Sequence, residues 1–264
     1  MNIFQNKHNY HLLREMVVAD FKLRYQSSIL GYLWSFVRPL ALFGVLYLVF
    51  VRFLKVGASI PHYAVYLLLG IVFWNFFLEA TNVGLRSVVD RGDLIRKVSI
   101  PKFIVVLAPV ASAFVNLLLN ILVVIIFALV SGVRLHESAL FLPLLLIELL
   151  IISVAFSFLL SALYVKYRDI AYIWELLAQV FFYATPILYP LSAVPARFAH
   201  ILLLNPIAQI IQDSRFNLVT DQTVTGSSVL HHGLVAVPFL ILIALVIISA
   251  TYFRSSSRYF AEDI

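Results

Sequence analysis

The sequence predicts an all-α polytopic membrane protein of six transmembrane helices, and three observations carry that reading. Hydrophobic residues make up 62% of the 264 residues and charged residues only 12%, with a mean hydropathy of +0.99. A soluble domain is about one-quarter charged, so this chain holds too few charges to coat a water-facing surface. Six separate segments are apolar over close to the ~20 residues that a helix needs to cross a bilayer core. Basic residues, finally, gather in alternate connections between those segments.

The first element is an amphipathic helix over residues 8–28. Leu12, Leu13, Met16, Val17 and Phe21 recur near helical spacing, while Arg14, Glu15, Asp20, Lys22 and Arg24 fall largely elsewhere around it. Asp20 and Arg24 form an i, i+4 pair in the favourable order. Such a helix lies on a membrane surface, either as a plain anchor or as a surface that also touches a cytoplasmic partner. No cleavable leader is evident, because the polar N-terminal region runs into an apolar stretch too long for one, so the N-terminus is expected to stay on the mature protein.

Spans are predicted over residues 31–53, 63–83, 103–130, 139–164, 170–189 and 235–253. The third and fourth exceed the minimum and are expected to tilt or to project beyond the membrane. An even number places both termini on one side. Of the 19 Lys and Arg residues, 14 fall on the side of the termini: Lys7, Arg14, Lys22, Arg24, Arg38, Arg86, Arg91, Arg96, Lys97, Lys102, Lys166, Arg168, Arg254 and Arg258. Arg52, Lys55, Arg134, Arg197 and Arg215 fall on the other. By the positive-inside rule the richer side is cytoplasmic. The net charge of +6 then reports topology, and a nucleic-acid partner, which needs an exposed basic face, is not expected.

No linker or repeat divides the chain, so residues 1–264 are expected to form one transmembrane domain. Two connections stand out. The region 84–102 ends in Asp90, Arg91, Gly92, Asp93, Leu94, Ile95, Arg96, Lys97, Val98, Ser99, Ile100, Pro101 and Lys102. Asp93 is placed to cap a short helix whose Leu94, Ile95 and Val98 share a face, and Pro101 suits the first turn of span three. This is either an ordinary basic loop or a charged helix whose apolar knob enters a groove on another protein. The connection 190–233 carries apolar runs at 201–204 and 207–211, too short to span, which read as helices that re-enter or rest at the outer interface.

Inside the spans, Ser112, Asn116 and Asn120 repeat every four residues, as do Ser153, Ser157 and Ser161. Such rows permit close helix approach and interhelical hydrogen bonds, so packing is their expected role. Glu79, Glu148 and Glu175 are intramembrane acids, candidates for function by position. They are scattered over three helices, which argues for pairing or for lining a wet cavity over a proton relay. The chain has no cysteine, and His231 and His232 are adjacent, which splays them ~100° apart on a helix and makes a poor metal pair. No GxSxG, HExxH or Walker A sequence occurs, so no catalytic residue, metal or bound nucleotide is expected on this chain.

Four ordered segments resemble one family. The stretch Arg24-Tyr25-Gln26-Ser27-Ser28-Ile29-Leu30-Gly31-Tyr32-Leu33-Trp34-Ser35-Phe36-Val37-Arg38-Pro39-Leu40 is similar to the N-terminal signature of ABC-2 type permeases that export polysaccharides. Residues Tyr66 to Phe77, with Gly70, Trp74 and Asn75, resemble the second span of that family. Tyr167-Arg168-Asp169-Ile170 with Thr185-Pro186-Ile187-Leu188-Tyr189-Pro190 resembles its fifth span, and Leu204-Asn205-Pro206 with Arg215 resembles the stretch after that span. The family includes O-antigen, capsule, teichoic-acid and mycobacterial galactan exporters. The resemblance implies a homodimer of six-span permeases in the bacterial inner membrane, with two ATP-binding subunits beneath that alone bind ATP and magnesium. It implies that Asp90, Arg91, Asp93, Leu94, Ile95 and Val98 form the coupling helix, that Arg14, Asp20 and Arg24 lie on a helix beside the ATPase, and that 190–233 forms an outer gate.

A lipid-linked glycan presents a polyprenyl tail, a diphosphate and a long polar chain. Aromatic faces suit sliding sugars, and the candidates are Tyr32, Trp34 and Phe36 in span one with Trp174, Phe181, Phe182 and Tyr183 in span five; an interfacial aromatic belt explains each equally well. Arg38, about 10 Å along the helix from Gly31, either snorkels to the interface or meets the diphosphate with its fork. The rival classes are an ABC-2 exporter of a drug or small lipid, a membrane-embedded glycosyl- or acyltransferase, and an ion channel. The second lacks clustered acids or a His/Asp pair, and the third lacks a filter-like loop.

Overall fold

The computed structural model describes residues 7–25, 33–53, 55, 60–98, 100–134, 137–230 and 234–263. Among them there are helices and turns and no strand. In chain order the helices are α1 (Lys7–Tyr25), α2 (Leu33–Leu46, continuing as a π-helix over Tyr47–Phe53), α3 (Tyr63–Asp90), α4 (Gly92–Lys97), α5 (Lys102–Val130), α6 (Leu142–Lys166), α7 (Ile170–Ala184), α8 (Ala196–Leu202), α9 (Pro206–Leu218), α10 (Gly226–Val229), α11 (Val237–Ser256) and α12 (Phe260–Asp263). Four stretches are long and apolar enough to cross a membrane: Tyr63–Asp90, Lys102–Val130, Glu137–Lys166 and Val237–Ser256. The first and fifth expected spans correspond to shorter apolar helices, Leu40–Phe50 and Ile170–Ala184. Thr185 turns extended at the end of α7, just before Pro186, whose ring disfavours helix in the residue before it.

Proline sets several other boundaries. Pro101 is the N-cap of α5, one residue ahead of the expected first turn, and prolines occupy the first turns of α6, α9 and α11, where a missing N–H costs no helical bond.

Helix α3 is the axis of the bundle. Of its most apolar window 78% is buried, against 28%, 39% and 22% for the other three long helices. It packs against α5 on one side and α6 on the other. The approach to α6 is close because small residues face each other: Ser157 Oγ donates to the Ala80 carbonyl at 3.1 Å, and a methyl on Gly84 would overlap the Ser157 side chain. Against α5, Asn116 Nδ2 donates to Glu79 at 3.2 Å, and Asn120 donates back to the Asn116 carbonyl at 2.9 Å. One member of each polar row, Asn116 and Ser157, thus bonds across to α3, while Asn120, Ser153 and Ser161 bond to carbonyls of their own helices. Phe77, Phe156 and Trp174 complete the core with ring centroids 5.4–6.0 Å apart.

Candidate functional site

A groove of about 1130 Å³ runs between α3 and α7, with α1 and α5 at one end. Two helical stripes line it. On α3 they are Asn75, Leu78, Asn82, Arg86 and Asp90, and on α7 they are Ala171, Glu175, Ala178, Gln179 and Phe182, with Trp74 and Tyr183 beside them. Residues three, four and seven apart share a helix face, so each helix turns one polar-aromatic face to the space. Among the described residues, Asn75, Asn82, Arg86, Glu175 and Gln179 have no hydrogen-bond or ion-pair partner. Polar side chains at membrane depth face water, protein or a polar solute, because lipid satisfies none of them.

At the α4 end of the groove, Arg91 forms the turn joining α3 to α4. Its guanidinium makes an ion pair with Asp20 of α1, with side chains 23% and 17% exposed, and donates to the Val105 carbonyl of α5 at 3.1 Å. That carbonyl is open for a covalent reason: its helical donor would be the amide of residue 109, which is proline and has none. Helix α4 itself does not present the expected three-residue knob. Ile95 is 7% exposed and packs with Val88, Val105, Val106, Phe253 and Phe260, while Leu94 and Val98 are 38% and 48% exposed. Nor does Asp93 cap the helix; it lies in the first turn and pairs with Arg96 at 3.4 Å.

Sequence reading missed the C-terminal part of this cluster. Phe260 is fully buried against Phe253, and Lys102 lies over its ring while donating to the Ser257 carbonyl. The only signal in the sequence was an aromatic pair, Tyr259 and Phe260, beyond the last apolar run.

The other end of α3 holds a buried cation. Arg215 of α9 is fully buried and donates to four acceptors: Nε to the Tyr66 carbonyl at 2.9 Å, Nη1 to the Pro186 carbonyl at 2.6 Å and to Gln212 Oε1 at 3.0 Å, and Nη2 to the Ile187 carbonyl at 2.7 Å. The guanidinium also stacks 3.6 Å from the Tyr66 ring centroid, a cation–π geometry. Gly70 sits against it, and a methyl there would overlap Nη2. Around it, Tyr63 donates to the Leu188 carbonyl at 2.7 Å, and Asn205 caps α9 through Ile207 N while donating to Thr185 Oγ1 at 3.2 Å. Arg215 is therefore an internal group, and it drops out of the count of outer surface charges. Three of the four sequence signatures meet at this one side chain.

The expected channel residues divide. Phe182 and Tyr183 line the groove, and Phe181 is 36% exposed beside them. Trp174 faces the core, 3% exposed between Phe77 and Phe156. Trp34 is half exposed on α2. Tyr32 lies outside the described residues, as do the side chains of Arg24, Phe36 and Arg38 and the residues His231 and His232. Arg14 is exposed and pairs with Glu15 at 3.6 Å.

Comparison with known proteins places this architecture. Residues 11–219, from α1 through the Arg215 node, match the family ABC-2 type transporter. The chain is 30% identical over 261 residues to an O-antigen export system permease protein RfbA of Klebsiella pneumoniae, covering 97% of each chain. It is 27% identical over 255 residues to the protein of that name from Myxococcus xanthus, covering 96% of this chain and 95% of that one. A match that takes in both ends of the groove and nearly the full length of its relatives leaves one assignment: the chain belongs to the ABC-2 type transporter family.

Proposed function

We propose that this chain is the membrane-spanning subunit of an exporter that carries a polyprenyl-diphosphate-linked polysaccharide across the bacterial cytoplasmic membrane. The observation that carries the reading is the groove: unpartnered amides and an acid face a cavity that Trp74, Phe182 and Tyr183 also line. Aromatic faces cover the apolar CH surfaces of sugars, and amides exchange hydrogen bonds with hydroxyls. Together they hold a glycan without fixing one register. The names of the relatives, O-antigen export permeases, support the same substrate class.

In this reading 1–264 is one domain of six spans, with α2 and α7 as its short ones and both termini in the cytoplasm. Two copies pair so that their α2 and α7 helices enclose the path. Helix α1 lies at the inner interface, and α8 and α9 within 190–233 form the outer gate. An ATP-binding subunit holds ATP and magnesium and pushes on Leu94 and Val98 of α4; this chain performs no chemistry. The start of α2, which carries Trp34, Phe36 and Arg38, belongs to the inner mouth, and Arg38 is the candidate for the diphosphate. The test is reconstitution of the permease with its ATP-binding subunit in proteoliposomes. Lipid-linked glycan is expected to stimulate ATP hydrolysis and to appear across the bilayer. Stimulation by small amphiphiles but not by glycan would overturn the substrate assignment.

A further inference from the structure

Arg91 joins three elements that no backbone connection makes rigid: α1 through Asp20, the start of α4 through its own backbone, and α5 through the Val105 carbonyl that Pro109 leaves open. Asp20, Arg91 and Pro109 all line the groove. We propose that Arg91 is a positioning residue that delivers displacement of α4 to the inner mouth of the groove; this rests on the reading of α4 as the element the ATPase pushes. The geometry supports it in three ways. A fork-shaped cation engages two acceptors at once and transmits direction as well as distance. The pair is mostly buried, so water screens it less than an exposed one. The acceptor on α5 is free because of a proline, so the contact does not compete with a helical hydrogen bond. A shift of α4 cannot leave α1 and α5 in place without breaking that contact.

The test measures glycan exported per ATP hydrolysed in the reconstituted complex. Arg91→Gln and Asp20→Asn are each expected to lower that ratio about tenfold, within the range of measured site-to-site coupling, while membrane level and assembly with the ATPase stay unchanged. Asp20→Asn is nearly isosteric and on an outlying helix, so it remains informative if Arg91→Gln fails to accumulate. Pro109→Ala returns an amide to Val105 and is expected to lower the ratio as well, with the Asp20 contact kept. A ratio within twofold of the unmodified complex in Asp20→Asn and Pro109→Ala overturns the proposal. Leu94→Asp, run alongside, reports on the underlying reading: if it leaves assembly and export unchanged, α4 is not the ATPase contact. If it abolishes assembly while the Arg91 and Asp20 variants export normally, only the Arg91 proposal fails.

Discussion

The two ends of α3 handle polar groups in opposite ways. Around Tyr66 and Gly70, a full positive charge is withdrawn from solvent and given four acceptors and an aromatic face. From Asn75 to Arg86, amides and a cation line open space with no hydrogen-bond or ion-pair partner among the described residues. A guanidinium stays protonated inside proteins, so the first arrangement depends on the four acceptors and the ring that offset its burial. The second is stable only if something outside the chain, water or a solute, completes it. The difference lies in access: the Arg215 charge is enclosed and matched, whereas the polar stripe of α3 opens on a cavity that a solute can enter.

Variants of the Arg215 node break that comparison from the structural side. Arg215→Ala leaves the buried Pro186 and Ile187 carbonyls without their donor, at about 1–3 kcal/mol each, and empties the space beside the Tyr66 ring, a loss that reaches the scale of total stability; Gln212 Oε1 keeps the Tyr66 hydroxyl. The protein is expected to vanish from membranes, read by immunoblot of the membrane fraction. Gly70→Ala is milder. Its methyl forces the guanidinium to shift, and overpacking of this kind costs about 1–3 kcal/mol; the detergent-solubilised protein is expected to melt several degrees lower. Asn205→Ala removes the α9 cap and the donor to Thr185, for about 1–2 kcal/mol, a smaller drop in the same measurement. An Arg215→Ala protein as abundant and as heat-stable as the parent would show that the node is not what fastens α9 to α3.

The fold was legible in the sequence where one-dimensional patterns act locally. Apolar length gave the long helices, proline marked where several begin, and the rows of Ser and Asn indicated close packing. Contacts between distant residues decided the rest. Arg215 and Gly70 stand 145 positions apart, and a signature records that both occur without recording that they touch. Ile95 looked like part of an exposed knob because periodicity says which residues share a face, not which face is covered. Here Phe260, from the far end of the chain, covers it. Trp174 has the composition of a sugar platform, but its neighbours on α3 and α6 claim its ring. Arg91 had a legible charge, but the open carbonyl it meets is created by a proline 18 residues away on another helix.

The smallest expected change in stability is the most informative about function. Asn82 and Gln179 face the groove from opposite helices and hold no hydrogen-bond partner among the described residues. Replacing both by leucine removes no hydrogen bond among the described residues and places apolar groups where the membrane tolerates them, so stability should change by no more than about 0.5 kcal/mol per site. Export should fall nonetheless. Each lost hydrogen bond to a sugar hydroxyl is worth about 0.5–1.5 kcal/mol, and the pair together corresponds to roughly a tenfold loss in glycan translocated by the reconstituted complex. Melting temperature and export, measured on the same preparation, separate the two kinds of polar group. A double variant that melts lower and exports normally would place Asn82 and Gln179 with Arg215, as part of the scaffold. A variant that melts normally and exports poorly assigns the open stripe to the passing chain.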